Sequence, residues 1–164
     1  MKLRLFSALT SATVFLSACG SVPTYSPVCE ILDYGIIAPE SENRLLKDRN
    51  DGTNRKIGKY LERPEIAETT SKIPAKLGTT FGISHVISGA PAKSKIKLVT
   101  THPPISYDGI LSTGGTRFKS IRDTGTYFTF DLPEEMALGN WTFVFEYSNI
   151  ELCRQEFEVI AANE

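Results

Sequence analysis

The chain has 164 residues, with 18 Lys and Arg against 19 Asp and Glu and a formal net charge of −1 at pH 7. That length supports one domain with a proper hydrophobic core and leaves two cramped. The charge balance argues against a nucleic-acid surface, which needs a clustered positive field, so no nucleic-acid partner is expected.

The first residues form a leader. Lys2 and Arg4 supply a basic start, and Leu5 to Leu16 an apolar run of about a dozen residues, too short for a span of about 20. The run closes on Leu16-Ser17-Ala18-Cys19, followed by Gly20. This pattern resembles the processing site of bacterial lipoproteins, in which the cysteine thiol takes a diacylglyceryl group before cleavage. The resemblance implies a signal peptide over 1–18, a lipid-bearing Cys19 as first residue and a palmitate-type membrane anchor, each buried CH₂ contributing about 0.8 kcal/mol. Gly20 in place of Asp implies sorting to the outer membrane, facing the periplasm. The competing reading is an ordinary secretory signal with Cys19 a free thiol. Residues 19–27 form a tether kept extended by Pro23 and Pro27. After residue 18 the chain keeps 16 basic and 19 acidic residues, because the leader holds Lys2 and Arg4 and no acid.

With Cys19 assigned to lipid, Cys29 and Cys153 are left as an even pair in an oxidising compartment, where a disulfide is expected. Closing so long a loop stabilises by about 4 to 5 kcal/mol in the chain-entropy model. Two cysteines offer neither a zinc quartet nor a Cys-x-x-Cys redox pair. No metal site and no cofactor are expected.

A single domain is expected over 28–164. Val28 to Ile37 reads as its first strand, with a bend or bulge at Gly35; Leu32, Tyr34 and Ile36 share one parity, Cys29 and Ile31 the other, and either face can be the buried one. From about 39 to 68 the composition is polar and charged, with Asn50-Asp51-Gly52 as a turn, and the stretch reads as a solvated excursion with at most a helical turn around Leu45-Leu46. Beyond Thr69, short strands alternate with turns. Phe81, Ile83, His85 and Ile87 share a face, as do Ile96 and Leu98 before Pro103-Pro104 stops the run, and Phe128, Phe130 and Leu132 later. Asp108-Gly109 and Gly114-Gly115-Thr116 read as turns. In the closing hairpin Trp141, Phe143, Phe145 and Tyr147 form an aromatic row, Ser148-Asn149 turns the chain, and Cys153, Phe157 and Val159 share a parity on the return. A sandwich buries one face of every strand, so the row is expected in the core. Strands at intervals of about ten residues predict an all-β, antiparallel sandwich.

The segments Glu30-Ile31-Leu32-Asp33-Tyr34-Gly35-Ile36, Ile73-Pro74-Ala75-x-Leu77-Gly78-Thr79-x-Phe81-Gly82, His102-Pro103-Pro104 and Gly139-x-Trp141-Thr142-Phe143 resemble a bacterial domain-of-unknown-function family of exported proteins. The match runs from about Glu30 to Val159, excursion excepted. It implies one β-rich domain with a final hairpin similar to that of immunoglobulin-like modules. It implies no activity and no catalytic residue.

Chemistry is sparse. The sequence holds no Gly-x-Ser-x-Gly elbow, no His-Glu-x-x-His helix and no phosphate loop. Glu134-Glu135 follows Pro133 and reads as a solvated turn. His85 reads as a core or cross-strand residue with a satisfied nitrogen. His102 stands before two prolines with Tyr107 and Asp108 close behind, so a rigid loop can present a titratable ring beside a carboxylate. His102, Tyr107, Asp108 and Arg117 are the candidate binding residues, and no catalytic residue is assigned. The reading that follows is a non-enzymatic envelope module, held to the membrane by the lipid on Cys19 and binding an envelope protein or cell-wall component. The alternatives are a small periplasmic enzyme or ligand carrier built around the His102 loop, and a plain spacer between membrane and wall.

Overall fold

The computed structural model describes residues 26–38, 45–46, 57–60, 63–107 and 109–162. Its first strand, β1 (Val28–Ile37), uses both of its parities. A register shift against its neighbour between Ile31 and Asp33 rotates the strand at Leu32, so Cys29 and Ile31 before it and Tyr34 and Ile36 after it all pack against one core. The irregularity expected near Gly35 is present as well, as a register shift between Ile36 and Ile37 against the strand Ile66–Thr69 on the other side, and Gly35 serves a further purpose. It has φ +139, and a Cβ there would stand 1.9 Å from the Glu68 carbonyl oxygen. Only glycine lets the neighbouring strand approach so closely.

The strands after β1 are β2 (Leu45–Leu46), β3 (Ile57–Tyr60), β4 (Ile66–Thr69), β5 (Lys72–Ala75), β6 (Thr80–Ser88), β7 (Lys95–Tyr107), β8 (Ile110–Ser120), β9 (Gly125–Thr129), β10 (Gly139–Tyr147) and β11 (Ile150–Ala161). They form a six-stranded sheet in the order β2-β3-β9-β6-β1-β4 and a five-stranded sheet in the order β5-β11-β10-β7-β8. The expected all-β sandwich of two sheets is therefore present, and among the described strand pairs one departs from antiparallel pairing: β5 runs parallel to β11. Among the described residues no helix is long and apolar enough to cross a membrane.

Three local expectations are corrected. Leu45-Leu46 is not helical but a two-residue strand paired with β3, and β3 pairs in turn with β9, so the charged excursion extends a sheet. Pro103-Pro104 does not stop β7. Between the paired residues Thr101 and Ile105 the strand carries His102, Pro103 and Pro104, where β8 has only Thr113 between Gly114 and Ser112. A bulge spares the ladder, which is where proline is tolerated within a sheet. Gly114-Gly115-Thr116 is not a turn but the interior of β8, paired with Thr101, Thr100 and Val99.

The core is aromatic. Phe81 lies within 5.2–6.1 Å, ring centroid to centroid, of Phe128, Phe130, Trp141, Phe143 and Phe157, and all six side chains are buried. Each contributes about 1.5–3 kcal/mol by burial, with ring pairs adding about 0.5–1.5. Tyr147, the last of the expected row, is only half-buried. Ser148 and Asn149 have φ 51 and 63, the backbone of a two-residue hairpin turn whose twist suits the flanking strands. The expected disulfide joins Cys29 on β1 to Cys153 on β11, with Cα atoms 5.6 Å apart, and so staples one sheet to the other.

Candidate functional site

Register defines two ends of the sandwich. At the proximal end β1 begins beside the close of β6, Val28 pairing with Ser88, and β7 begins beside the close of β8, Lys95 pairing with Ser120. The Cys29–Cys153 bond brings the β10–β11 turn to that same end. At the distal end lie the Lys76–Thr79 turn, Gly109 between β7 and β8, and the segment from Phe130 to Leu138 with its single 3₁₀ turn, Pro133–Glu135.

His102 sits in the β7 bulge near the distal end. Its half-buried ring lies 4.7 Å from that of Trp141, and Nδ1–H donates to the Pro103 carbonyl at 2.7 Å. Trp141 Nε1–H donates in turn to the Ala137 carbonyl at 3.0 Å. Tyr107 ends β7 opposite Ile110, while Arg117 lies opposite Leu98. Three rungs separate the Leu98–Arg117 pair from Thr101–Gly114, about 10 Å along the strand toward the proximal end. The fold thus draws His102 to Trp141 and sets Arg117 further along. Asp108 and Cys19 lie outside the described residues.

The distal turn is built differently from its expectation. Glu134 is exposed, but Glu135 is buried, its Oε2 accepting the backbone N–H of Asp131 at 2.7 Å and of Leu132 at 3.0 Å. One carboxylate thereby pairs two donors at the start of the turn. Leu77, Leu132 and Leu138 stand out from this end with 50%, 42% and 56% of their surface exposed.

Inside the sandwich, toward the proximal end, is a buried polar group of residues. His85 is fully enclosed with its ring 4.5 Å from that of Phe145, and neither ring nitrogen meets a partner among the described residues. The satisfied nitrogen expected of it is absent there. Burial, with the nearby Lys119 cation second, lowers its pKa to about 3, so the ring is neutral at ordinary pH. Lys119, also buried, reaches across from β8 to β9, its Nζ donating to the Gly125 carbonyl at 2.9 Å and to Thr126 Oγ1 at 2.5 Å. Asp123 closes the connecting loop, its Oδ2 accepting the Ser120 N–H. Among the described residues no cluster of His, Cys, Asp and Glu is placed to hold a metal ion.

Two surface clefts flank these features. One, of about 300 Å³, is lined by Ala92 to Lys95 and Phe118 to Ser120 at the proximal end. The other, of about 290 Å³, lies between Ile36-Ile37, Ala67, Pro74 and Lys76 to Thr80. His102 and Arg117 line neither. Sequence reading missed Glu135, Lys119 and the proximal cations, because parity alone does not tell which strand crosses to which sheet.

A family model described as a domain of unknown function, DUF3859, matches residues 25–159. The chain belongs to this family. In this DUF3859 domain the four motif segments fall on β1, on β5 through β6, in the β7 bulge and on β10. The sandwich is similar to the crystal structure of an immunoglobulin-like protein from Pseudomonas aeruginosa, at 19% identity and a TM-score of 0.59, over 80% of this chain and 96% of that one. At that identity the likeness is one of fold. No curated protein matches the chain. The DUF3859 core also departs from that of antibody domains, in which a tryptophan packs on the inter-sheet disulfide. Here Trp141 stands four residues along β10 from Phe145, the partner of Cys153, about 13 Å away.

Proposed function

We propose that this DUF3859 chain is a lipid-anchored, non-enzymatic binding module of the bacterial outer membrane, facing the periplasm. The lipid on Cys19 holds the proximal end, and the distal loops engage another envelope protein or a cell-wall component. The observation that carries this reading is the placement of the exposed Leu77, Leu132 and Leu138 at the end opposite the chain's point of entry. Exposed apolar groups gathered on loops are the usual means of partner recognition. The aromatic filling around Phe81 supports the same reading, since it turns recognition outward to the loops.

Two measurements test it. Palmitate labelling of cells is expected to mark the wild-type chain and not Cys19→Ser; label that persists in the variant removes the anchor. A pull-down from detergent-solubilised membranes is expected to return a reproducible partner or glycan that is lost with Leu132→Ser and Leu138→Ser together. A partner retained by that variant, or none from the wild type, counts against the distal end.

A further inference from the structure

The proximal end differs from the rest of the molecule in charge. Lys93 in the β6–β7 loop, Lys95 at the start of β7 and Arg122 in the β8–β9 loop are exposed, and none has an acidic partner among the described residues. Three of the four carboxylates close by are committed elsewhere. Glu146 pairs with Lys97 at 2.8 Å, Glu151 with Arg154 at 2.7 Å, and buried Asp123 accepts a backbone N–H; Glu30, two residues up β1, remains exposed. The distal end by contrast shows two acids, Asp131 and Glu134, and one cation, Lys76, at its surface. A chain whose total charge is slightly negative thus carries an excess of cations without acidic partners among the described residues at its proximal end. Apolar groups stand beside them, with Val28, Phe118 and Ile150 exposed by 61%, 68% and 66%.

The cleft of about 300 Å³ sits within this group, between Ala92–Lys95 and Phe118–Ser120. That volume is at the lower bound of small-ligand sites and suits one phosphodiester headgroup. Lys119 forms part of its wall, adding positive potential beneath the cleft while its Nζ stays bonded to β9.

Chain length limits how far this end can stand from Cys19. Ser26 lies against the β6–β7 loop, since a Cβ on Gly89 would stand 2.8 Å from the Ser26 carbonyl oxygen. Ser26 follows Cys19 by seven positions, a reach of at most about 25 Å. We propose that the proximal end is a docking surface for the anionic phospholipid bilayer in which the Cys19 lipid is inserted. Lys93, Lys95 and Arg122 meet lipid phosphates, the cleft beside Lys95 seats one headgroup, and Phe118 and Ile150 lie at headgroup depth. This rests on the anchor reading above and adds an orientation: the sandwich stands upright on the membrane with its distal loops outward.

The test uses the chain from position 19 onward carrying Cys19→Ser, which retains the whole described sandwich and its disulfide but no acyl chain. It is sedimented with vesicles of phosphatidylcholine alone and of equal parts phosphatidylcholine and phosphatidylglycerol. Binding is expected to the mixed vesicles only and to weaken as salt is raised. Lys93→Gln with Lys95→Gln is expected to weaken it roughly 25-fold, about fivefold per charge removed. Both lysines are exposed, so an unchanged melting temperature shows that the variant is folded. Equal binding to both vesicle types, no binding to either, or an unaffected double variant overturns the proposal. So does release by inorganic phosphate well beyond that by chloride at equal ionic strength, because the cleft is then a site for a free anion. Palmitate labelling of the wild type separates the two readings: a labelled protein whose unacylated form ignores anionic vesicles is anchored without a docking face.

Discussion

His85 is the residue at which burial and titration conflict most directly. Its ring is enclosed, its nitrogens meet no described partner, and its pKa is held at about 3 rather than 6.5, by burial first and Lys119 second. In the unfolded chain the ring takes up a proton below pH 6.5, and in the folded chain it does not until about pH 3. The folded state therefore keeps its full His85 contribution above pH 6.5 and loses it progressively as the pH falls toward 3, by on the order of 5 kcal/mol in all. His85→Leu, similar in volume and free of the proton, is expected to lie within about 1 kcal/mol of wild type at pH 7 and to exceed it increasingly at pH 5 and 4. Urea denaturation at the three pH values checks this, and parallel losses in both proteins reject it. That His85 is buried was legible from its alternation with Phe81, Ile83 and Ile87. Its unpaired nitrogens were not, because they depend on what β8 and β9 bring across the interior.

At the scale of elements, β8 shows how backbone geometry overrides a composition signal. Two adjacent glycines read as a turn, yet they have separate tasks within one strand. Gly114 has φ +148 and would place a Cβ 2.1 Å from the Thr100 carbonyl oxygen, whereas a Cβ on Gly115 meets nothing within 4 Å. Gly114→Ala is expected to cost at least about 2 kcal/mol by strain and by parting β8 from the β7 bulge. Gly115→Ala is expected to change stability by less than about 0.5 kcal/mol. Chemical denaturation of the pair decides, and equal effects contradict the assignment. The same bulge explains why Pro103-Pro104 misled as a stop, and the one at Leu32 why the parity of β1 could not be resolved: both faces of the sequence pattern are used in turn. Strands β2 and β3 escaped notice because Leu45-Leu46 and Ile57 lie among charges, with no periodicity long enough to read. The parallel docking of β5 on β11 joins segments some 85 residues apart, and such a choice leaves no local trace.

For the molecule as a whole, the sequence carried the sandwich, the aromatic core and the inter-sheet bond, since each follows from alternation, ring count or an even number of cysteines. The charge difference between the two ends did not show, because Lys93, Lys95 and Arg122 become neighbours only once β1, β6, β7 and β8 are in register. The bond's weight can be measured. With a separation of 124 residues, replacing Cys29 and Cys153 together by Ser is expected to lower stability by about 4 kcal/mol. Reductant is expected to reproduce that loss in the wild type and to leave the variant unchanged. A loss under about 1 kcal/mol in both shows that packing alone holds the sheets.

The position of that bond along β1 also governs how the protein bears load. Tension that enters at Ser26 reaches Cys29 after three residues and passes there through a covalent link to Cys153 on the opposite sheet. Peeling of β1 from β6 stops at its second residue, before Tyr34 or Ile36 can be drawn from the core. Both sheets are then pulled as one body.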